Sequence, residues 1–387
     1  MRTYGDLQLF TPGPVNVPPR VLAAGARPML HHRTAEFSRI LASLIEKAQA
    51  LFGTRQDVLP VHATGRGAME GTITNLFSPG DEILCICNGR FGEMYAEMAE
   101  RHGLSVRRIC TDWLKPLDLA EVAGALKGFP AAKAVTLCQC ETATAVVNDI
   151  AAISAMVREH GKLMLVDCVS SVGCMPMEFD AWGLDAMVTA SQKGLMSPTG
   201  LSLAVLSDRA WRAADASRPA SYYVRFREIQ KTLHGKRPET PGSTPVSLVC
   251  SVEEALSMIE EEGKANTYAR HERVAKAIRA GVEAIGLRLF PENLASRAVS
   301  LTAFSVPLGT KGARLRSVLK EEFGIVVAEG LGAAYKDTVV RIGHMGYVFP
   351  KDALTIIGAL EACLCKLGCL DEVGQGTAAC IQPLSGS

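Results

Sequence analysis

The stretch KLMLVDCVS, residues 162–170, is a short apolar run that ends near an aspartate. Two runs of the same kind follow it, DAMVTAS at 185–191 and GLSLAVLS at 200–207. Two others precede it, DEILCICNG at 81–89 and AAKAVTLCQ at 131–139. Apolar runs of this length, bounded by turn residues, are typical of strands buried on both faces. We therefore predict a strand in each of the five segments.

Segments with a helical pattern separate these strands. One is AAISAMVREHG at 151–161, which ends in a glycine of the kind that terminates helices. Strands that alternate with helices form a mostly parallel sheet covered on both faces, so the predicted fold class is α/β. In such sheets, ligands bind at the carboxyl ends of the strands, near the point where the strand order reverses.

The composition is that of an ordinary globular protein. The chain has 387 residues, of which 48% are hydrophobic and 21% are charged, and its net charge is +1. It has neither the basic excess typical of nucleic-acid binding nor a run of about 18 apolar residues that could span a membrane. We expect no nucleic-acid partner and no membrane span. The first residues, MRTYGDLQLFTPGP, also lack the order of a signal peptide.

The 12 cysteines are scattered, several of them within the apolar runs. Free cysteine packs as a small hydrophobic residue, and thiols persist in a reducing compartment, so we expect a cytoplasmic protein. The pairs Cys85/Cys87 and Cys138/Cys140 each place two sulfurs on one face of a strand. No histidine or second pair follows at ligand spacing, and we predict no metal site.

The alternation of short apolar runs with helical segments changes after about residue 250. One long helical stretch, SVEEALSMIEEEGKANTYARHERVAKAIRAGVEAIG at 251–286, leads into the apolar runs LRLF, SLTAFSV and VVRIGHMG. This pattern predicts a smaller α+β domain that is linked to the first by a long helix. The last residues, GQGTAACIQPLSGS, are rich in glycine and serine, and we expect a loose tail there.

Asp167 and Lys193 stand at the carboxyl ends of two neighbouring predicted strands. Lys193 lies in TASQKGLMSP, residues 189–198, which places an ammonium group at the end of a buried run. A lone aspartate after a strand is often only the cap of a helix or turn. The pair suits a charged ring, because an aspartate can pair with a pyridinium nitrogen while a lysine forms a Schiff base with an aldehyde.

Three further segments hold candidate binding residues. HATGRGAMEG at 62–71 is a glycine turn that leads into a helix, so its amide groups could bind a phosphate, although such turns are common. Phe91 follows a strand, where it could stack on a flat ring or belong to the core. Arg341 lies among apolar and glycine residues, where it could clamp a carboxylate or form a structural salt bridge.

Nine motifs together are similar to the class V aminotransferases, and within them to the alanine/serine/aspartate–glyoxylate group. They are TPGPVNVPPRVL (11–22), HHRTAEF (31–37), TGRGAMEG (64–71), NGRFG (88–92), CETATAVVNDI (140–150), VDCVSSVG (166–173), SQKGLMSPTGL (191–201), STPVSLV (243–249) and RIGHMG (341–346). They occur in the right order over nearly the whole chain. No single motif is specific, but the combination is.

The resemblance implies fold type I, in which a large domain with a mostly parallel seven-stranded sheet carries a smaller α+β domain. It implies an N-terminal arm that packs near the active site. The expected units are an arm at 1–20, a large domain at 21–262, a small domain at 263–375 and a flexible tail at 376–387. It also implies a homodimer whose active sites are shared between the subunits.

The cofactor that the resemblance implies is pyridoxal 5′-phosphate, and the catalytic residues would be Lys193 and Asp167. Lys193 would hold the cofactor as a Schiff base, and Asp167 would pair with the pyridine nitrogen. The remaining implied roles are a sandwich of the ring by Phe91 and Val169; a hydrogen bond near the ring by Thr142; phosphate binding by Gly65, Arg66 and Gln192; phosphate binding from the partner subunit by Ser243 or Thr244; and binding of the substrate α-carboxylate by Arg341. A loop with Tyr222 and Tyr223 would also lie near the site.

Three residues depart from the pattern of the family. Phe91 stands where relatives often have tryptophan, and its ring offers less stacking area than an indole. Ala145 stands where relatives usually have glycine, so the geometry of its loop is an open point. Arg66 replaces threonine or histidine, and it could bind the phosphate or an acidic substrate side chain.

The main hypothesis is a transaminase that moves the amino group of alanine, serine or aspartate to glyoxylate or pyruvate. One alternative is the same cofactor acting on an unusual amine, such as pyridoxamine or an aminophosphonate or aminosulfonate. A second is a lyase or desulfurase, against which Gln192 stands where desulfurases have histidine. A nucleotide-binding oxidoreductase would need a GxGxxG after a strand, which the sequence lacks. Arg225 and Arg227 could recognise a second acid group or lie on a solvated face.

Overall fold

The computed structural model describes residues 7–113 and 115–385. Within them the helices are α1 (Pro19–Gly25), α2 (Ala35–Phe52), α3 (Gly65–Leu76), α4 (Arg90–Arg101), α5 (Leu119–Gly128), α6 (Ile150–Glu159), α7 (Asp208–Ala216), α8 (Phe226–Leu233), α9 (Val246–Glu262), α10 (Lys264–Ala284), α11 (Gly312–Phe323), α12 (Pro350–Lys366) and α13 (Gln375–Ser385). A short 3₁₀ helix covers Leu294–Ser296.

The strands form two main sheets and a small hairpin. They are β1 (Gln8–Phe10), β2 (Val58–Val61), β3 (Glu82–Cys87), β4 (Ser105–Cys110), β5 (Ala134–Cys138), β6 (Cys140–Glu141), β7 (Val146–Val147), β8 (Leu163–Asp167), β9 (Ala186–Ala190), β10 (Ser202–Leu206), β11 (Leu289–Phe290), β12 (Leu301–Ser305), β13 (Ile325–Glu329) and β14 (Val339–Gly343). The hairpin is β6–β7.

The large sheet has seven strands in the order β2-β10-β9-β8-β5-β3-β4. All neighbours are parallel except β10, which runs antiparallel to both β9 and β2. The five strands predicted from apolar runs are confirmed as β3, β5, β8, β9 and β10. Every residue of β5, β8, β9 and β10 is buried, as expected for strands covered on both faces.

Helices cover both faces of this sheet, and α2 illustrates why they form. Thr34 caps its start by accepting a hydrogen bond from the Phe37 N–H, and Gly53 ends it in the left-handed conformation. Its buried residues, spaced three and four apart, include Phe37, Leu41 and Leu44, which pack into the core of the large domain. Fully burying such a side chain contributes about 1.5–3 kcal/mol.

The small domain has its own sheet and its own core. Its strands lie in the order β1-β13-β14-β12-β11, with β1 parallel to β13 and the remaining pairs antiparallel. Its core is separate from that of the large domain and contains Phe304, Leu315 and Ile356. The first strand of the chain thus belongs to the sheet of the last domain, a pairing that the sequence did not suggest.

The predicted long helix at 251–286 is wrong at one position. The stretch forms two helices, α9 and α10, and Gly263 lies between them with φ of +84° and ψ of 131°. Only glycine adopts this backbone conformation readily, so the chain changes direction here. We propose Gly263 as the start of the small domain, because α10 packs mainly against α12 and α13.

The expected flexible tail at 376–387 also differs from the structure. Residues up to Ser385 belong to helix α13, and Cys380 on this helix is buried. The start of α13 is fixed by the buried Glu361 of α12, which accepts hydrogen bonds from the N–H groups of Gly374, Gly376 and Thr377. The last two residues, 386 and 387, lie outside the described part of the chain.

The register of the sheet brings the carboxyl ends of β8 and β9 side by side, with Asp167 opposite Val188. The chain continues from β9 into the turn that holds Lys193, and from β2 into the start of α3. The described residues contain no helix that is long and apolar enough to cross a membrane.

Candidate active site

One cavity of about 360 Å³ lies at the carboxyl ends of these strands. Eight residues that the sequence assigned to one subunit's site line it: Gly65, Arg66, Phe91, Thr142, Asp167, Val169, Gln192 and Lys193. They come from five separate segments of the chain, and the sheet brings them together. Gly13 and Pro14 from the N-terminal segment also line the cavity.

Asp167 is the last residue of β8 and is buried. Its Oδ1 accepts a hydrogen bond of 2.8 Å from the Val169 N–H, and the Cys138 thiol lies 3.5 Å from its Oδ2. Burial raises the pKa of Asp167, while these two donors and the nearby Lys193 act in the opposite direction. A buried carboxylate with so few partners favours a positively charged group in the cavity.

Lys193 follows β9, and its side chain is almost entirely buried. Burial lowers the pKa of Lys193 to about 8, against the attraction of Asp167 and with a further contribution from Arg341. Its Nζ donates a hydrogen bond to the backbone oxygen of Pro12. The neutral form of this amine, which a nucleophile or a general base requires, is therefore populated near physiological pH far more than in an exposed lysine.

The start of α3 forms a possible anion cradle. Its N-cap residue, Thr64, makes no side-chain capping bond. The next residue, Gly65, lies so close to Val169 that a Cβ would come within 2.8 Å of the Val169 side chain. Gln192 has a buried side-chain oxygen with no hydrogen-bond partner among the described residues, and Arg66 is exposed at the rim. Backbone amides and the helix dipole favour an anion at such a position.

The ring of Phe91 lines the cavity at the start of α4, and Glu141 holds this turn in place. The buried Glu141 carboxylate accepts hydrogen bonds from the N–H groups of Phe91 (2.9 Å), Gly92 (3.2 Å) and Ala143 (2.9 Å). Burial raises the pKa of Glu141 to about 7, although the three donors favour its charged form. Glu141 thus ties together two segments that line the site.

Arg341 lies on β14 of the small domain and is buried beside the cavity. Its guanidinium donates hydrogen bonds of 2.7 Å to the backbone oxygens of Thr142 and Glu329. Burial lowers the pKa of Arg341 to about 10, against the attraction of Glu141 and Glu329. Among the described residues, no carboxylate forms an ion pair with Arg341. A buried guanidinium that bonds only to carbonyls retains donors for a carboxylate ligand.

Ser243 and Thr244 do not line this cavity. Ser243 lines a second one, of about 470 Å³, with the exposed residues Tyr222, Tyr223 and Arg225. Thr244 forms a hydrogen bond with the Thr240 hydroxyl. The part of the chain that the structure describes therefore does not bring these two residues to Lys193. This arrangement is compatible with their expected role in a neighbouring subunit, which stays a prediction.

Arg225 and Arg227, which the sequence left open as ligands of a second acid group or as surface residues, have different surroundings in the structure. Arg227 donates a hydrogen bond of 2.8 Å to Asp215 and stacks over the ring of Trp211, with its guanidinium carbon 4.2 Å from the ring centroid. It therefore has a structural role on the surface. Arg225 instead borders the second cavity.

Ala145 adopts a left-handed backbone conformation, which glycine would reach without strain. Its φ is +59°, one of two positive values among the described residues other than glycine. Its carbonyl oxygen accepts a hydrogen bond of 2.9 Å from the Ala298 N–H, and Ala145 packs with Ala298 in a small apolar cluster between the domains. Holding an alanine in this conformation costs about 1–2 kcal/mol.

Sequence reasoning missed two contributions to the site. Glu141 lay within a quoted motif but was given no role, and the pair Pro12 and Gly13 was quoted only as part of TPGPVNVPPRVL. Pro12 and Lys193 are 181 positions apart in the chain. The glycine between two prolines was the only local signal, because glycine is required where another backbone or side chain approaches closely.

The residues of the cavity fit pyridoxal phosphate. Asp167 offers a carboxylate to a cationic ring nitrogen, Lys193 offers a partly neutral amine to the aldehyde, and the start of α3 offers amides to the phosphate. The side-chain oxygen of Gln192 has no hydrogen-bond partner among the described residues and is available to a bound group. Gly65 lies close to Val169 and has no side chain, so it does not fill the space between them. The described residues contain no group of histidine, cysteine and acidic side chains that could hold a metal ion.

Comparisons with known proteins identify the family. A family model described as Aminotransferase class-V matches residues 16–349. The soluble hydrogenase small subunit of Synechococcus sp. (strain PCC 6716) is 36% identical over 382 residues, which cover 97% of this chain and 98% of that protein. The L-aspartate–glyoxylate aminotransferase of Paracoccus denitrificans (strain Pd 1222) is 35% identical over 377 residues, which cover 96% and 94%.

A solved structure shows the same fold. The crystal structure of pyridoxamine–pyruvate aminotransferase from Mesorhizobium loti superposes with a TM-score of 0.93 at 29% sequence identity, and the match covers 98% of this chain and 97% of that one. The family model, the relatives and the fold lead to one conclusion. The chain belongs to the class V aminotransferases, a family of fold type I whose cofactor is pyridoxal phosphate.

Proposed function

We propose that the protein is a transaminase that moves the amino group of a small amino acid (alanine, serine or aspartate) to a 2-oxo acid such as glyoxylate or pyruvate. The observation that carries this proposal is that Lys193, Asp167 and the helix start at Gly65 line one cavity. An amine, a carboxylate and a phosphate cradle in that arrangement are what pyridoxal phosphate chemistry needs.

We assign the proton transfer to Lys193. Pyridoxal phosphate, when bound, supplies an electron sink for the negative charge that develops at the substrate Cα. The Lys193 amine, with a pKa lowered to about 8 by burial, would take the proton from the substrate Cα and deliver it to C4′ of the cofactor. Positioned acid–base transfer of this kind contributes roughly 10²–10⁴-fold to the rate. The buried surroundings of Lys193 keep water away from the proton.

Two other residues set the charge and the orientation. The Asp167 carboxylate pairs with the ring nitrogen and keeps it protonated, because a buried carboxylate gains most from a cationic partner. The Arg341 guanidinium binds the substrate α-carboxylate and so decides which bond at Cα is held over the ring. Arg341 is suited to this role because Thr142 and Glu329 hold its guanidinium through their carbonyl oxygens only.

The remaining residues bind the cofactor. Phe91 and Val169 would pack against its ring, Thr142 would form a hydrogen bond near it, and Gly65, Arg66 and Gln192 would bind its phosphate. Phe91 is supported in this role by the Glu141 carboxylate, which holds its backbone. For Arg66 we favour binding of the phosphate over binding of an acidic substrate side chain. Arg66 lies in the first turn of α3, beside the amide groups at the start of the helix.

The proposal includes a homodimer in which Ser243 or Thr244 of the partner subunit reaches the phosphate. Its support is that Ser243 borders a separate cavity together with Tyr222 and Tyr223, whose large side chains are 92% and 76% exposed in the single chain. Exposed aromatic residues around a cavity are typical of a surface that contacts another protein. We also propose a cytoplasmic location, since all 12 cysteines are free thiols.

A donor and acceptor screen tests the function. The purified protein is incubated with pyridoxal phosphate. Alanine is then added with glyoxylate, and serine and aspartate are each added with glyoxylate or pyruvate, while the new 2-oxo acid is measured. We expect turnover with at least one pair. No turnover with any of them would contradict the proposal.

One observation favours a second candidate. The solved structure with a TM-score of 0.93 is that of an enzyme named for pyridoxamine and pyruvate. Pyridoxamine, aminophosphonates and aminosulfonates are therefore included as donors with pyruvate. Turnover with these alone would identify the unusual-amine alternative, and a 2-oxo product formed without any acceptor would identify a lyase.

A further inference from the structure

The N-terminal segment folds into a closed loop whose two ends are joined by one side chain. The Leu9 N–H donates to Oδ1 of Asn16 at 3.0 Å, and Nδ2 of Asn16 donates to the Leu9 oxygen at 2.8 Å. The amide of Asn16 thus pairs with the Leu9 backbone as a neighbouring strand would. We call residues 9–16 the N-terminal loop. Its turn is at Gly13, where φ is +99°.

The N-terminal loop is attached to the small domain. Gln8–Phe10 pair with Ile325–Val327 in the small sheet, and Nε2 of Gln8 donates to Oδ1 of Asp352 at 2.8 Å. Gly343, the last residue of β14, lies so close to Thr11 that a Cβ there would overlap the Thr11 backbone. These contacts hold the loop against the sheet that also carries Arg341.

The tip of the loop lies against the side chain of Lys193. The Pro12 oxygen accepts the hydrogen bond of the Lys193 amine, and among the described residues it is the only hydrogen-bond partner of that amine. Gly13 is in closer contact still, since a Cβ on it would overlap the Lys193 side chain and come within 2.8 Å of Nζ. Pro12 is itself buried, so water does not compete for its oxygen.

The contact matters because a lysine side chain is flexible. Its four rotatable bonds carry about 2 kcal/mol of rotamer entropy, which must be lost before the amine can attack one atom. The hydrogen bond to the Pro12 oxygen and the close packing of Gly13 restrict the rotamers of Lys193 before the amine reacts. Displacing a reacting group by about 1 Å costs up to about 100-fold in rate.

We propose that Asn16 is a positioning residue, which closes the N-terminal loop so that the Pro12 oxygen and Gly13 hold the Lys193 amine in place whenever it is not bonded to the cofactor. The proposal rests on the proposed function in one respect, the role of Lys193 as the attacking amine. It adds that a segment of the small-domain sheet aligns this amine.

Asn16→Ala is the first test. The readouts are the rate constant with which the cofactor-free full-length protein captures pyridoxal phosphate, followed by visible absorbance, and the split between kcat and KM for the donor. Removing both Asn16 bonds should slow capture about tenfold and lower kcat similarly at unchanged KM. If Asn16 had a purely structural role, Asn16→Ala would have a lower thermal midpoint but no fall in kcat at unchanged KM.

A matched pair of glycine variants is the second test. Gly13→Ala places a methyl group against Lys193, whereas Gly80→Ala introduces the same backbone strain, with φ of +89°, in open space. Both should lower the thermal midpoint through backbone strain, and Gly13→Ala by more because its methyl group also overlaps the Lys193 side chain. Only Gly13→Ala should slow capture, by about 100-fold or more.

The outcomes separate the two proposals. Failure of the unaltered protein to capture the cofactor would contradict the proposed function itself. Capture by the unaltered protein with Asn16→Ala within twofold of it, or with Gly13→Ala no slower than Gly80→Ala, would overturn the positioning role and leave the function intact. If Gly13→Ala does not fold, the Asn16→Ala result decides.

Discussion

At the scale of single residues, the site depends on charged groups that the fold holds away from water. Lys193 is 9% exposed, and burial lowers its pKa from 10.5 to about 8. A difference of this size corresponds to about 3 kcal/mol that folding must supply to keep the ammonium form buried. The same burial favours the neutral amine, which is the reactive form.

The pH dependence of stability follows from the sign of this shift. A lysine whose pKa is lowered on folding contributes no penalty above pH 10.5, where the amine is neutral in both states, and its full penalty below about pH 8. We expect cofactor-free Lys193→Met to have a free energy of unfolding about 3 kcal/mol larger than the unaltered protein at pH 7. The difference should shrink as the pH rises from 8 to 10.5.

Urea unfolding at several pH values and one fixed protein concentration measures this difference, because concentration affects the stability of any dimer. Lys236→Met is the matched control, since Lys236 is exposed and its replacement should have little effect on the free energy of unfolding. A difference for Lys193→Met that stays constant between pH 7 and 10.5 would contradict the lowered pKa.

At the scale of elements, α13 shows how tertiary contacts can make a helix from an unfavourable sequence. The helix contains Pro383 and begins beside two glycines, Gly374 and Gly376. The N–H groups at its start, which have no partner within the helix, donate hydrogen bonds to the Glu361 carboxylate of α12. The buried face of α13 packs on α10. The negative charge at the helix start adds a favourable interaction with the helix dipole.

We expect Glu361→Ala to lower the free energy of unfolding by about 2–3 kcal/mol, because it leaves buried N–H groups at the start of α13 without partners. Denaturant unfolding measures the change, and limited proteolysis should then cut within 375–385. Glu372→Ala, which alters an exposed carboxylate in the same stretch, is the control and should have little effect. Equal stability of the two variants would show that α13 does not depend on Glu361.

At the scale of the whole molecule, the site is built where the two domains meet. A third apolar cluster joins Cys140 and Ala145 of the large domain to Ala303 and Val339 of the small domain. Arg341 bonds across the same junction to Thr142. The domains must therefore pack correctly before the substrate arginine and the cofactor cavity lie side by side.

The proposed sharing of active sites between subunits can be tested by mixing two inactive variants. Lys193→Ala lacks the amine, and Ser243→Glu should repel the phosphate of the partner's site. If Ser243 acts across the interface, each mixed dimer has one complete site. Unfolding and refolding the variants together at equal amounts should then recover about a quarter of the activity of the unaltered protein, since half of the dimers are mixed.

Each variant refolded alone is the control and should stay inactive. The same mixture without recovered activity, although mass measurements show mixed dimers, would contradict the shared site. Activity in Ser243→Glu alone would show that Ser243 does not bind the phosphate.

The sequence by itself determined the strands of the large sheet and the charged residues at their ends. A strand buried on both faces must be apolar throughout, so β3, β5, β8, β9 and β10 appear as local runs. Asp167 ends one such run and Lys193 lies shortly after another, and polar residues there lie where parallel sheets bind ligands. Both signals need only neighbouring residues to be recognised.

The tertiary structure alone decided the contacts between distant segments. The pairing of Gln8–Phe10 with the last domain, the helix at Gln375–Ser385 and the bond from Lys193 to the Pro12 oxygen depend on partners far away in the chain. A backbone oxygen is present at every residue, so a bond to one leaves no pattern in the sequence. Its position, and with it the alignment of the reactive amine, is set only when both domains have packed.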